Sequence, residues 1–253
     1  MKKKRILLKV GSNTLTRETD NISRGKIEDI ANQIAKLNDT CEFIIVSSGA
    51  IAVAKQFVKL ESKQSEIFVK QALASIGQPH LIRIYQEIFR EYGLLSSQCL
   101  LSYSDFEKQK SKNNIVNTIN VLVSNNYIPI INENDTVATD EIQFGDNDKL
   151  AALTATLLNV DLLLIATNTN GVYTKESIKN NAPKTIQEVN NFEDLKNEVV
   201  NSKSSHGSGG MTSKIEAAEI SKNAQIETWI LNGLEDNFIT NAFENKVAFT
   251  KIK

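Results

Sequence analysis

The chain has 253 residues, 41% of them hydrophobic, and a formal net charge of −1; this is enough apolar material for one substantial core, so a single domain over residues 1–253 is the default expectation. The near-zero charge supplies no broad positive field for nucleic acid or an anionic membrane. The basic tract at residues 2–5 leads into too few apolar residues for a signal peptide or a membrane span, which points to a cytoplasmic protein.

Apolar, β-branched runs at residues 5–10, 42–46, 94–101, 127–131, 162–166 and 227–231 predict strands, with helix-like stretches between most of them. Residues 24–36 place Ile27, Ile30, Ala31 and Ile34 on one helical face. Residues 67–90 read as a longer helix interrupted near Gly77, Gln78 and Pro79, and residues 150–158 form an apolar helix. This alternation predicts a mainly parallel sheet with helices on its faces. Residues 137–144 suggest a small hairpin, and residues 180–210 a polar loop region able to fold over a ligand. Cys41 and Cys99 lie in or beside apolar runs without CxxC spacing and read as reduced, buried thiols.

Four strand ends carry polar chemistry. At the first, Lys9 is followed by Gly11 and Ser12, a pattern that either brings backbone amides to a bound anion or is a lysine beside an ordinary turn. The second runs through Ser47, Ser48 and Gly49 into an apparent helix at Ala50, where Ser48 is an anion contact or a plain cap. A third ends in Thr167, Asn168, Thr169, Asn170 and Gly171; its neutral groups suit a base or ribose, although taken alone a simple Asn-Gly turn explains them better. The richest is the run at residues 127–135, an apolar strand ending in Asn132, Glu133, Asn134 and Asp135 at the edge where open α/β sheets bind ligands. It is followed by Gly145, Asp146, Asn147 and Asp148, which open the helix at 150–158.

Farther on, Gly207, Ser208, Gly209, Gly210, Met211, Thr212 and Ser213 lead into a helix with Lys214 at its start, a loop suited to cradling polyphosphate. It is not a Walker A sequence, because Ser213 rather than glycine precedes Lys214, and no GxGxxG follows the first strand. His206 reads as a solvated loop residue, and His80 has no evident partner.

Together, Lys9 to Ser12, Ser47 to Ile51, Lys70 to Gln78, Asn117 to Asn120, Pro129 to Asp135, Gly145 to Asp148 and Gly209 to Lys214 resemble the amino acid kinase family over nearly the whole chain. The pairing of Asn-Glu-Asn-Asp with Gly-Asp-Asn-Asp is similar to its glutamate-phosphorylating branch. The resemblance implies a three-layer α/β/α sandwich with an open, mainly parallel central sheet. It implies transfer of phosphate from ATP, with Mg²⁺, to the side-chain carboxylate of glutamate, and proline as a feedback ligand. It further implies that Lys9 and Lys214 contact the transferring phosphate and that Asp148 holds them. Ser48, Gly49, Ala50, Asp135, Asp146 and Asn147 would bind glutamate. Lys9, Gly11, Ser12, Thr167, Asn168, Ser208, Gly209, Gly210, Met211, Thr212, Ser213 and Lys214 would line the ATP site. The family usually carries Asp where Asn168 stands. Many members append a PUA domain, whereas this chain is expected to be the kinase domain alone, working as a homo-oligomer. Kinases of the same fold acting on acetylglutamate, aspartate or carbamate are the nearest rivals, and a non-catalytic sensor that kept the pocket is the rival of another class.

Overall fold

The computed structural model describes residues 2–60, 66–137, 147–189, 191–199 and 210–253. Among them, β1 (Lys4–Val10), β2 (Cys41–Ser47), β3 (Leu95–Leu101), β4 (Tyr127–Glu133), β5 (Leu162–Thr167), β6 (Glu188–Val189), β7 (Glu227–Asn232) and β8 (Thr250–Ile252) form one sheet. Its order is β3-β4-β2-β1-β5-β7-β8-β6. Pairing is parallel from β3 across to β7, while β8 runs antiparallel to β7 and parallel to β6.

The central strands read as unbroken apolar runs because both of their faces are covered. On one face Ile6, Leu8 and Val10 of β1 pack with Ile27, Ile30 and Ile34 of the helix Arg24–Leu37 and with Leu81, Tyr85 and Ile88 of the helix Ile67–Glu91. On the other, Leu7 joins Leu163 and Ile165 of β5, Leu150 and Ala155 of the helix Asp148–Leu158, and Ile215 and Ala218 of the helix Met211–Asn223. Each such fully buried Leu or Ile contributes roughly 1.5–3 kcal/mol relative to exposure. The expected α/β/α sandwich is therefore the architecture found.

Several local expectations change. The helix Ile67–Glu91 is continuous over 25 residues with Pro79 inside it. A helix-interior proline costs about 3 kcal/mol, but Pro79 is exposed and the turns beyond it bury Leu81, Tyr85, Ile88 and Phe89, which offsets that cost. Within residues 180–210 the described part contains β6 and a helix, Phe192–Glu198, whose Phe192 and Leu195 are buried, so it is not a bare loop. Of the expected hairpin only Val137 is described, as an exposed turn residue; residues 138–144 lie outside the described residues, as does His206. Both cysteines are free, Cys41 buried and Cys99 only half-buried because β3 is an edge strand. His80 does have a partner: its ring lies 4.5 Å from that of Phe57. No helix among the described residues is long and apolar enough to cross a membrane.

Candidate active site

Parallel pairing brings the C-terminal ends of β4, β2, β1, β5 and β7 to one edge. The chain leaves β1 toward β2 on one side while β5 flanks it on the other, so the strand order reverses at β1. Such reversals leave a crevice beyond the strand ends. Lys9, next to last in β1 and in register with Val46 and Ile165, stands at that point.

Here three elements meet on one carboxylate. Lys9 Nζ lies 2.6 Å from Asp148 Oδ1, and Lys214 Nζ lies 2.9 Å from Asp148 Oδ2. The Ser213 hydroxyl donates to the same Oδ2 at 3.0 Å. Asp148 opens the helix Asp148–Leu158, where an acid is favoured by the helix dipole. Ser213 and Lys214 sit in the first turns of the helix Met211–Asn223. Asp148 is 0% exposed, Lys9 3% and Lys214 7%. Two buried ammonium groups thus share one carboxylate, so these three groups together carry one net positive charge, and burial limits the screening of their field. Gly11 approaches the same point, since a Cβ there would come 3.3 Å from Lys9 Nζ.

On the β2–β4 side, Asn147 directly precedes Asp148. Its Nδ2 donates to Asn132 Oδ1 at 2.7 Å, and to the Ser47 carbonyl and Ser48 Oγ at 3.2 Å each. The Glu133 N–H donates to Asn132 Oδ1 at 2.9 Å. A backbone N–H can only donate and a carbonyl can only accept, so these two main-chain groups fix both amides. Asn147 Oδ1 is left buried and without a hydrogen-bond partner among the described residues. Asp135, just past β4 and 8% exposed, makes no ion pair among the described residues. Burial pushes its carboxyl from 3.8 up to about 6. An orphaned acceptor calls for a hydrogen-bond donor and a buried acid without an ion pair calls for a cation; an ammonium group would meet both. Ser48 is tied down by its own N–H to the Val10 carbonyl at 3.0 Å, and Gly49, at φ +110, makes the turn into Ala50.

On the β5–β7 side, Thr167 is buried and Asn168 Nδ2 donates to Glu18 Oε1 at 2.8 Å. Gly233 N–H donates to the Thr167 carbonyl at 2.7 Å. Gly210 precedes the helix Met211–Asn223, and no side chain among the described residues caps its opening N–H groups. Asp146, Ser208 and Gly209 lie outside the described residues. The structure thus gathers Lys9, Asp148 and Lys214 at the centre, with Ser48, Asn147 and Asp135 to one side and Thr167 and Asn168 to the other. Two contacts were not foreseen. Ser213, expected on the nucleotide, holds Asp148. Glu18 reaches Asn168 only because Arg17 and Glu18 both adopt left-handed conformations, at φ 49 and 61, which no sequence signal announces.

Comparison with known proteins bears on the family and the fold. The model of the amino acid kinase family matches residues 4–232. A glutamate 5-kinase of Caldanaerobacter subterraneus subsp. tengcongensis is 42% identical over 93% of this chain, which spans 64% of that relative's length. A glutamate 5-kinase of Clostridium acetobutylicum is 39% identical over 96% of this chain and 92% of its own. Among solved structures, carbamate kinase from Giardia lamblia bound to AMP-PNP superposes with a TM-score of 0.70 at 15% identity, covering 99% of this chain and 98% of that one. UMP kinase from Ureaplasma parvum does so at 0.66 and 17%, covering all of both chains. At such identities these two show the shared fold alone. Because the family match begins in β1 and ends with β7, it contains every strand whose end reaches this edge, and the chain belongs to the amino acid kinase family.

Proposed function

We propose that the chain phosphorylates the side-chain carboxylate of L-glutamate with ATP, giving L-glutamyl 5-phosphate and ADP, the first step of proline synthesis. The observation that carries this reading is a buried, net-positive Lys9–Asp148–Lys214 cluster flanked by Asp135 and Asn147, which lack a cationic partner among the described residues. The relatives' names supply the acceptor.

The chemistry needs no general base. A γ-carboxylate has a pKa near ~4.3 and is already ionised at neutral pH. The obstacle is to bring that anion against a polyanionic nucleotide, and phosphoryl transfer is catalysed mainly by positioning and by neutralising charge. Lys9 and Lys214 supply compact cations, and Asp148 fixes the spacing between them. In this reading Asp135 takes the α-ammonium and the Asn147 carbonyl oxygen accepts from it, while Ser48, Gly49 and Ala50 receive the acceptor's carboxylate. Gly11, Ser12, Thr167, Asn168 and residues 208–214 receive ATP. Among the described residues no group of three or more His, Cys, Asp or Glu gathers as a metal cage. Mg²⁺ is read as entering with the MgATP substrate, where it neutralises phosphate charge.

The reading extends to one amino acid kinase domain over residues 1–253, a cytoplasmic setting, a homo-oligomeric state, and proline as a feedback ligand of the glutamate subsite. Glutamate-dependent hydroxamate formation with ATP and Mg²⁺, with and without proline, tests it, run beside acetylglutamate, aspartate and carbamate in a coupled ADP assay. Faster turnover of any of those three than of glutamate would reject glutamate as the acceptor.

A further inference from the structure

Gln78 and Ser75 stand three residues apart on the helix Ile67–Glu91, and so on one face of it. Both reach the segment that leaves β4. Gln78 Oε1 accepts from Asn132 Nδ2 at 2.8 Å. The Ser75 and Thr136 hydroxyls lie 2.9 Å apart, and because Ser75 Oγ donates to the Gln71 carbonyl at 2.9 Å, the proton between them comes from Thr136. The two ties bracket Asn134 and Asp135. Between them on the helix, Gly77 presents bare backbone to the other wall of the site: a Cβ there would fall 1.8 Å from the Ala50 carbonyl oxygen. One turn of this helix therefore touches both the Gly49–Ala50 turn and the Asn132–Thr136 exit. Nothing in the transfer chemistry uses these residues directly.

We propose that Gln78 is a positioning residue for the acceptor subsite, with the Ser75–Thr136 contact as its second anchor; the inference rests on the glutamate reading. Gln78 holds the Asn132 amide, the Asn132 carbonyl oxygen holds Asn147 Nδ2 at 2.7 Å, and Asn147 is thereby kept with its own carbonyl oxygen unpartnered and ready for substrate. Without the Gln78 acceptor, Asn132 Nδ2 loses its partner and, among the described residues, the amide is held through Oδ1 alone, by Glu133 N–H and Asn147 Nδ2, so it keeps its orientation but loses its lateral anchor. The slackened amide shifts Asn147 and the exit segment that carries Asp135, while the Lys9–Asp148–Lys214 cluster is untouched.

The test is steady-state kinetics on Gln78→Met, which keeps the side chain's length and removes the acceptor, with Thr136→Val as an independent variant at the other anchor. For Gln78→Met the KM for glutamate rises about tenfold, the scale of one lost hydrogen bond in a buried relay. The KM for ATP and kcat stay within about threefold, and Thr136→Val shows the same selectivity with a smaller rise. A purely packing role predicts instead that Gln78→Met behaves as wild type, and that outcome overturns the inference, as does an equal rise in both KM values. Absence of glutamate-dependent turnover in the wild-type protein rejects the glutamate reading and this inference together; wild-type turnover with an unchanged glutamate KM in both variants rejects this inference alone.

Discussion

Lys9 and Lys214 sit on opposite oxygens of a single carboxylate, 2.6 Å from Asp148 Oδ1 and 2.9 Å from Oδ2. One lysine comes from the end of the first strand and the other from the start of a late helix, so nothing but the closed fold brings them together. A salt bridge of this kind is a poor source of stability, since desolvating three charges costs about as much as their attraction returns. Its value is geometric: two cations held at a fixed spacing across the crevice beyond β1.

Replacing either lysine by alanine is expected to lower kcat by on the order of a hundredfold or more, the scale for losing one preorganised donor to a developing charge. Lys→Arg restores little at either position, because a planar guanidinium cannot share one carboxylate oxygen and follow a moving group as an ammonium does. Hydroxamate formation at saturating glutamate measures this; near-normal turnover in both alanine variants removes the lysines from the chemistry.

Asp148→Asn keeps the shape and deletes the counter-charge. Two buried ammonium groups then face each other with no anion between them, and removing one side of a buried ion pair costs roughly 3–5 kcal/mol. The denaturant midpoint should fall accordingly. A nucleotide triphosphate analogue resupplies negative charge, so its thermal upshift should be larger in the variant than in the wild type. Equal upshifts would mean that the lysines do not meet the nucleotide's phosphates.

Why these pieces were or were not legible in the sequence follows from how each is specified. The five central strands β4, β2, β1, β5 and β7 announce themselves because burial on both faces demands continuous apolar runs, as at Leu162 to Ile165. Two strands of two and three residues, Glu188–Val189 and Thr250–Ile252, carry no period long enough to detect; β7 offers an edge to Thr250–Ile252, which in turn offers one to Glu188–Val189. Pro79 suggested a break that the packing of Leu81 and Tyr85 overrides. The site's charged centre was visible because Lys9, Asp148 and Lys214 each stand at a strand end or helix start. The Gln78–Asn132 and Glu18–Asn168 contacts were not, since each depends on where two distant elements come to rest.

Asp135 gives the site a pH signature. Burial raises its carboxyl from 3.8 to about 6, so the folded protein binds this proton more tightly than the unfolded chain. The sign follows: its stabilising contribution is fully present below the unfolded value and is lost as pH rises through about 6. Asp135→Asn removes that loss and should stabilise the ligand-free protein at pH 7 by on the order of 1–3 kcal/mol. Function moves the other way. An ionised Asp135 is needed to hold an ammonium, so the wild-type KM for glutamate should climb as pH drops through about 6, while that for ATP stays level. Asp135→Asn should have a high glutamate KM at every pH. Parallel pH profiles for the two substrates would refute the assignment.

Asn168 tests the proposed nucleotide side, at a position where the resemblance to the amino acid kinase family implies aspartate. Here the amide donates to Glu18 Oε1 at 2.8 Å, a contact reached through two consecutive left-handed residues and braced by the ion pair of Arg17 with Asp236. Asn168→Asp would set one carboxylate against another at that distance, displace the Glu18 segment and raise the KM for ATP. Both groups are solvent-accessible, so the coupling should be no more than about 1 kcal/mol, or roughly fivefold in KM. Adding Glu18→Gln to Asn168→Asp reverses the arrangement of acid and amide without removing the hydrogen bond, and should return the KM for ATP to near the wild-type value. High salt should shrink the effect of the single substitution, because exposed charges are screened over about 10 Å at 0.1 M ionic strength. An Asn168→Asp protein with unaltered ATP kinetics at low salt would show that Glu18 and Asn168 meet outside the nucleotide's reach.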